Sequence, residues 1–332
     1  LPGVSRAPMG QNPILRGSGG HESAVFLDGI PIPELYHFGG LTSVVQPLLL
    51  KEVTLTPGNF SSRYGRATGG IIDAKLRAPR TDGFHALLDI NLVDTSAMVE
   101  TPLSDTAAVA LAARRSNIDF VFETLVPEDA FSVVAAPVYW DYQGLFETRP
   151  NETSRVTATI TGSSDALKFV FEEPSQEDPT LRGELSGKLE HHTLTLGYHH
   201  EARPSEVHLQ AFVGTDQLEQ KLGGYDAYFD SVRLGGRAEW DIELQEDLRL
   251  LLGGDAIGSI SHGAYRGPAA PAQEGSLGDA NTSAGLLVVD ETDFTQFSPA
   301  LYGEFTWFVH PRWTVVPGVR LDLYQDLHAL TV

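Results

Sequence analysis

From Gly83 onward, apolar and polar residues alternate with a period of two, in segments of roughly 8 to 17 residues that recur along the rest of the chain. Successive side chains of a strand point to opposite faces, so the alternation assigns each residue a face. Phe84, Ala86, Leu88, Ile90 and Leu92 share one face, opposed by His85, Asp89 and Asn91. Val138, Trp140, Tyr142 and Phe146 oppose Asp141, Gln143 and Glu147. Between Tyr228 and Leu244 the apolar set includes Val232, Leu234, Ala238, Trp240 and Ile242, against Arg233, Arg237, Glu239 and Asp241. Nearly all the charge lies on the polar faces.

A register slip of one residue would set apolar against polar faces, so hairpin registers can be read directly. A turn at Arg203-Pro204 pairs Tyr198 with Leu209, Leu196 with Ala211 and Leu194 with Val213. A turn over 245–247 pairs Trp240 with Leu252 and Ile242 with Leu250, and on the polar face Glu243 with Arg249 and Arg237 with Asp255. The turn at His310-Pro311-Arg312 pairs Trp307 with Val315. Short turns alternate with connections expected to be long, over about 116–136, 164–182, 216–226 and 263–295. That alternation, and the placing of Trp240, Trp307, Trp313 and Tyr198 on the apolar face beside short turns, predicts an antiparallel transmembrane barrel with an aromatic girdle. Strands of this length exceed the roughly 5–6 residues of a soluble β-sandwich, the alternative all-β reading. Two places break the pattern. Charges in Arg182–Glu190 take the parity that becomes apolar at Leu194, which calls for a bulge at His191-His192 or for a strand running beyond the membrane. Asn117–Val126 reads equally as a short helix in the first long connection.

Residues 1 to about 80 follow another grammar, with short apolar pieces separated by Gly and Pro, and a boundary falls near Arg77-Ala78-Pro79-Arg80. The expected organisation is a small mixed α/β domain over 1–79 followed by barrel strands over 80–332. Composition narrows the functions. With 23 Lys+Arg against 44 Asp+Glu the net charge is −21, which argues against a nucleic-acid partner. The chain has no Cys, so thiolate metal sites, disulfides and Cys nucleophiles are excluded. Gly17-Ser18-Gly19-Gly20-His21 lacks the lysine and hydroxyl of a phosphate loop, and no Ser-His-Asp grouping is supported, so no enzyme is expected. His199 and His208 face each other on the polar face. Without a third ligand they read as lumen-lining hydrogen bonders, and neither a metal nor a cofactor is expected.

Several pieces of the first region occur in the order of one family's signature. Leu1-Pro2-Gly3-Val4 looks like an LPGV stretch and Ile14-Leu15-Arg16-Gly17 like an IRG element with one residue inserted. Val25-Phe26-Leu27-Asp28-Gly29-Ile30-Pro31 is similar to an LDGVP segment, and Lys51 to Gly58 resembles the IERIEVLRGP strand. Tyr64-Gly65, then Gly69-Gly70-Ile71-Ile72 and Asp73-Ala74-Lys75, echo the YG…GGVINI ending. Together these resemble the plug domain of TonB-dependent outer-membrane receptors. The arginine that usually follows the IEV strand is Thr56 here, and Arg16, Arg63 or Arg66 is expected to replace it at the plug-to-barrel contact. About 11 strands can be counted where large plugged transporters have roughly 22. The sequence therefore reads as an internal part of a longer receptor, with the TonB-gripped segment expected before Leu1.

The resemblance implies an outer-membrane location in a Gram-negative bacterium, TonB and the lipid bilayer as partners, and active uptake of a scarce small molecule such as a ferric siderophore. It also implies roles for individual residues. Tyr36, His37, Arg63, Tyr64 and Arg66 are candidate apical substrate contacts, or else hold the plug against the wall. Arg16, Asp28 and Glu52 are expected at the plug-barrel contact, and His199, His208, Arg237, Asp255 and Glu304 along the lumen. A plugged barrel serving adhesion, motility or assembly is the alternative within the same fold, and a soluble all-β binding module the alternative outside it.

Overall fold

The computed structural model describes residues 4–6, 13–18, 22–40, 42–125, 135–171, 183–222, 225–268, 287–325 and 329–331. In the first region β1 (Val4–Arg6) pairs with β2 (Pro13–Leu15). A four-stranded sheet follows, made of β3 (Ser23–Leu27), β4 (Ile30–Ile32), β5 (Leu50–Thr56) and β6 (Gly70–Leu76) in the order β4-β3-β6-β5. Its core is small and aliphatic: Leu15, Val25, Leu27, Ile32, Leu35, Val44, Val45, Ile72 and Ala74.

The β3–β4 connection shows how the local sequence dictates the fold. Leu27 pairs with Ile30, leaving Asp28 and Gly29 as a two-residue loop with φ of 49° and 82°. Two positive φ values are the requirement of the hairpin turn whose twist matches the strands, and Asp-Gly is a favoured pair for it. A Cβ at Gly29 would also sit 3.3 Å from Gln210 Oε1 on the barrel wall. Gly29→Val is therefore expected to destabilise the plug by about 1–2 kcal/mol, the cost of a Cβ in left-handed backbone. A lowered urea midpoint for protease resistance would show it.

The second region forms one sheet of thirteen strands. After β7 (His85–Ile90), β8 (Asp94–Ser104) and β9 (Ala107–Ser116) comes a helix, α1 (Ile118–Leu125), so the helical reading of that segment holds. Then follow β10 (Ala135–Asn151), β11 (Ser154–Phe171), β12 (Gly183–Ala202), β13 (Ser205–Leu222), β14 (Tyr225–Gln245), β15 (Leu248–Pro268) and β16 (Leu287–His310). β17 (Trp313–Val315) and β18 (Gly318–Tyr324) both pair with β16 and are one strand interrupted at Val316-Pro317; β19 (Ala329–Thr331) pairs with β18. All pairs in this sheet are antiparallel neighbours, as expected for a barrel meander. Counting the interrupted strand once gives one strand more than the expected 11, because the short β19 carries too few residues to alternate visibly.

Every register derived from the alternation is present: Tyr198 lies opposite Leu209, Trp240 opposite Leu252, Arg237 opposite Asp255 and Trp307 opposite Val315. The apolar parity is the outer face, where Leu196, Leu234, Trp240, Leu301 and Trp307 are exposed. A soluble sandwich would cover those residues. No register shift occurs at His191-His192, so that strand has no bulge there and instead continues straight past the apolar band. Lys188 and Glu190, on the outer parity above Leu194, pair with each other at 2.8 Å. The connection expected over 216–226 is also corrected, since β13 and β14 pair without a shift through Leu222 and Tyr225. Strands of 18 to 24 residues, in β13 to β16, are about twice what a bilayer crossing needs, and beyond Gly214 the outer parity of β13 turns polar with Thr215, Gln217, Glu219 and Lys221. The connections expected over 164–182 and 263–295 are shorter too, since β11 continues to Phe171, β15 continues to Pro268 and β16 begins at Leu287, while residues 126–134, 172–182 and 269–286 lie outside the described residues.

No helix among the described residues is long and apolar enough to cross a membrane, which says nothing of strands. An arginine in place of Leu196, 54% exposed in mid-band, is expected to cost about 2–4 kcal/mol of folding into lipid vesicles.

Candidate functional site

The polar inner face of the sheet receives the plug, and the contacts are made by charged side chains that alternation points inward. At the first contact, the loop between β4 and β5 carries His37 into the wall of β10 and β11. Its side chain is fully buried, with Nδ1 2.9 Å from Asp165 Oδ2 and Nε2 3.0 Å from Asp141 Oδ2. Both ring nitrogens face carboxylates, so both must donate and the imidazole is protonated. Burial alone would lower its pKa, but the hydrogen bonds and charges of Asp141 and Asp165 outweigh it and raise the pKa to about 9. The ring stacks on Tyr139 at 4.2 Å.

The carboxylates are shared with further groups. Asp165 also accepts from the Phe38 backbone N–H at 2.9 Å. Asp141 accepts from Arg114 at 2.7 and 2.8 Å and from Gln46 Nε2 at 3.0 Å. Arg114 in turn donates to Thr42 Oγ1 at 2.7 Å and to the Ser43 carbonyl. Gln46 and Gln143 close a reciprocal pair, with Gln46 N–H to Gln143 Oε1 at 2.8 Å and Gln143 Nε2 to the Val44 carbonyl at 2.7 Å. Beside them Glu34 is held neutral, since burial and the charge of Asp165 raise its pKa to about 9. Ser163 donates to it at 3.3 Å.

The second contact is made by the loop between β5 and β6. Arg63 pairs with Glu239, which also accepts from Tyr302 at 2.8 Å. Arg66 reaches Asp255 at 2.7 Å and the Ser298 carbonyl at 2.5 Å. Asp255 is further bound by Arg320 at 2.9 Å and lies 3.7 Å from Arg237. The Ser62 backbone N–H donates to Glu304 at 2.8 Å, and Arg320 donates to the Arg63 carbonyl at 3.2 Å. A third contact lies at the domain boundary, where Arg77 grips the buried Glu100 through two bonds of 2.8 and 3.0 Å.

Of the candidate apical residues, His37, Arg63 and Arg66 are thus engaged with the wall. Tyr64 turns into the plug and donates to Asp73 at 2.8 Å, while Tyr36 forms a bridge with Ser43. Of the three expected plug-barrel contacts, Asp28 meets the wall through its backbone carbonyl, which accepts from Gln210 at 2.8 Å. Its carboxylate caps the Leu76 N–H within the plug, and burial raises its pKa to about 6. Glu52 pairs with Lys75 at 2.9 Å on the exposed side of the plug sheet, and Arg16 is exposed at a turn with φ of 51°. Neither has an ion pair with the barrel among the described residues. Of the three arginines expected to replace the missing cation, Arg63 and Arg66 pair with barrel carboxylates. Of the lumen residues, Arg237, Asp255 and Glu304 join the second contact. His199 and His208 pack with ring centroids 4.1 Å apart and planes tilted by 39°, beside an internal cavity. No group of three or more metal-ligating side chains occurs among the described residues.

Sequence reasoning gave no individual role to Arg77, Glu100, Arg114, Asp141, Asp165, Glu239 or Arg320. Each carried one usable signal, a charge on a strand's inward parity or at the boundary.

Residues 1–71 match the family model of the TonB-dependent Receptor Plug Domain. No curated protein sequence matches the chain. Among solved structures, the siderophore receptor PirA from Acinetobacter baumannii aligns with a TM-score of 0.65 at 16% identity, over 98% of this chain and 53% of its own. A mutant of the ferric enterobactin receptor PfeA from Pseudomonas aeruginosa aligns at 0.62 and 14%, over 98% and 54%. The outer membrane transporter YddB from Escherichia coli aligns at 0.59 and 14%, over 96% and 51%. The chain therefore carries a TonB-dependent receptor plug domain followed by strands with the fold of the receptor barrel, and it spans about half the length of the receptors it matches.

Proposed function

We propose that the chain is the plug and part of the wall of an outer-membrane TonB-dependent receptor that takes up a scarce small molecule, a ferric siderophore or a similar chelate. One observation carries the reading: a plug-family domain is seated on the polar face of an outward-apolar sheet by its histidine and arginines, paired with carboxylates that are buried from water. Such contacts fix one geometry, and within each of them removing one partner leaves the other charge unpaired, so a contact either holds or opens. That is what a gate needs, a plug that seals the pore at rest and shifts when pulled. TonB supplies the pull, and the substrate enters from the side of the long connections. No catalytic step is assigned.

The test is uptake of a panel of radiolabelled ferric siderophores by cells expressing the full-length protein, with and without TonB. Uptake of at least one chelate that disappears on TonB deletion is expected. Uptake of none, or uptake indifferent to TonB, overturns the reading.

A further inference from the structure

Between the plug and the inner faces of β10 to β14 lies a cavity of about 460 Å³, within the size range of small-molecule sites. It opens toward the short turns. Glu147, Arg155, His199, Glu206, His208 and Asp241 line it from the wall, each within a few residues of a short turn. The mouth by which a substrate would enter, among the long connections, is at the other end of the strands. Asp28, Arg63, Tyr64 and Asp73 form its plug side.

Unpartnered buried polar atoms gather here. Arg63 Nε, Arg155 Nε, His199 Nε2, Thr193 Oγ1 and Asp73 Oδ1 lack a hydrogen-bond partner, and all five residues line this one cavity. Buried polar groups without partners are uncommon, and each calls for an explanation. The two guanidinium N–H groups can only donate, the threonine hydroxyl donates or accepts, and Asp73 Oδ1 can only accept. Arg63 is neutralised by Glu239. Arg155 has no ion pair among the described residues, and the carboxylate of Asp28 across the cavity feels its charge. On the rim, Glu147 is already paired with Arg149 at 2.9 Å. Along the wall, Thr159 lies opposite Thr195 and Thr161 opposite Thr193, a strip of hydroxyls leading inward from Arg155.

We propose that this cavity is a second solute station, on the short-turn side of the plug, which takes a small oxygen-rich anion of the polycarboxylate class. Arg155 supplies the charge-assisted bond and the threonine strip the neutral ones. Glu206 and Asp241 at the mouth keep the affinity low, as release on the far side requires. The station rests on the transport reading for its purpose but not for its test.

The test is calorimetric titration of citrate, as the probe, into the full-length protein in detergent. Citrate is expected to bind at least tenfold more tightly than sucrose, an uncharged solute also rich in oxygen. Arg155→Gln should weaken citrate by about tenfold or more, the effect of losing one charge-assisted hydrogen bond, and Thr159→Val by a smaller factor. Heat-modifiable gel mobility verifies that both variants fold. Absence of citrate binding, equal binding of sucrose, or citrate affinity unchanged in both variants overturns the station. Binding needs neither TonB nor energy, so a failed uptake experiment leaves this result standing, and successful uptake without citrate binding removes only the station.

Discussion

Replacing His37 with leucine should free the loop between β4 and β5 from the barrel wall, at a cost of about 3–5 kcal/mol, the penalty for removing one partner of a buried ion pair. Leucine has a volume close enough to keep the packing on Tyr139, so the loss is electrostatic. Asp165 would keep the Phe38 N–H at 2.9 Å and the neutral Glu34 carboxyl beside it, while Asp141 would retain Arg114 and Gln46. Amide exchange over 33–46 is the readout. A loss of 3 kcal/mol speeds it by more than a hundredfold, and unchanged exchange would show that the contact holds nothing.

The same contact has a defined pH response. The pKa of His37 is raised from 6.5 to about 9, so its contribution is complete below 6.5 and is lost as pH rises through about 9. Glu34 is raised from 4.5 to about 9, so its contribution is complete below 4.5 and declines across that wider range. Both run in one direction, with Asp141, Asp165, Arg114 and His191 as the other charged or titratable groups facing them. Alkaline conditions are expected to loosen the plug. In His37→Leu the part of the loss that begins at 6.5 should vanish and the part due to Glu34 should remain.

Asp255→Asn is expected to have the next largest effect. One carboxylate lies 2.7 Å from Arg66, 2.9 Å from Arg320 and 3.7 Å from Arg237, so neutralising it leaves three guanidinium groups crowded without their common counter-charge. Arg320 retains Asp322 at 2.8 Å and Arg63 retains Glu239, which limits the damage to the loop carrying Arg66. About 2–4 kcal/mol is expected, from repulsion added to the lost charge-assisted bonds. Exchange over 57–69 should quicken accordingly while that over 33–46 stays the same, because the two contacts share no residue. Equal quickening of both would mean that the plug leaves the wall as one body.

How much of this was legible in the sequence follows from what fixes each feature. The pairing of Leu196 with Ala211 or Trp240 with Leu252 is local, set by a short turn and by the requirement that apolar residues share a face, and it was read without error. The stretch 216–226 was misread because above the bilayer both faces of a strand meet water. Gln217, Glu219 and Lys221 then alternate with nothing apolar enough to show the period, although their backbone stays in the ladder. His37 could be marked as chemistry-bearing, and Asp141 as inward-facing. That the two meet, across 104 residues of chain, depends on how a rigid plug sits inside a curved wall, which no period along the sequence encodes. For the same reason Glu52 carried the right residue type yet lies on the plug's exposed side. Resemblance located the plug, and only the structure shows which of its charges touch the wall.

The central claim is that the plug is docked on the inner wall of this sheet through its arginine-bearing loop. A cysteine pair at Ser62 and Gly318 tests it most directly, since the chain has no cysteine of its own. A Cβ at Gly318 would lie 3.1 Å from Ser62 Cβ, closer than the roughly 3.5–4.5 Å of a disulfide, so the two backbones need to part by about half an ångström to close one. In outer membranes holding the full-length Ser62→Cys, Gly318→Cys protein, mild oxidation is expected to join the two thiols in nearly every molecule. Two thiols that stay free and separately alkylated under those conditions would contradict the docked plug.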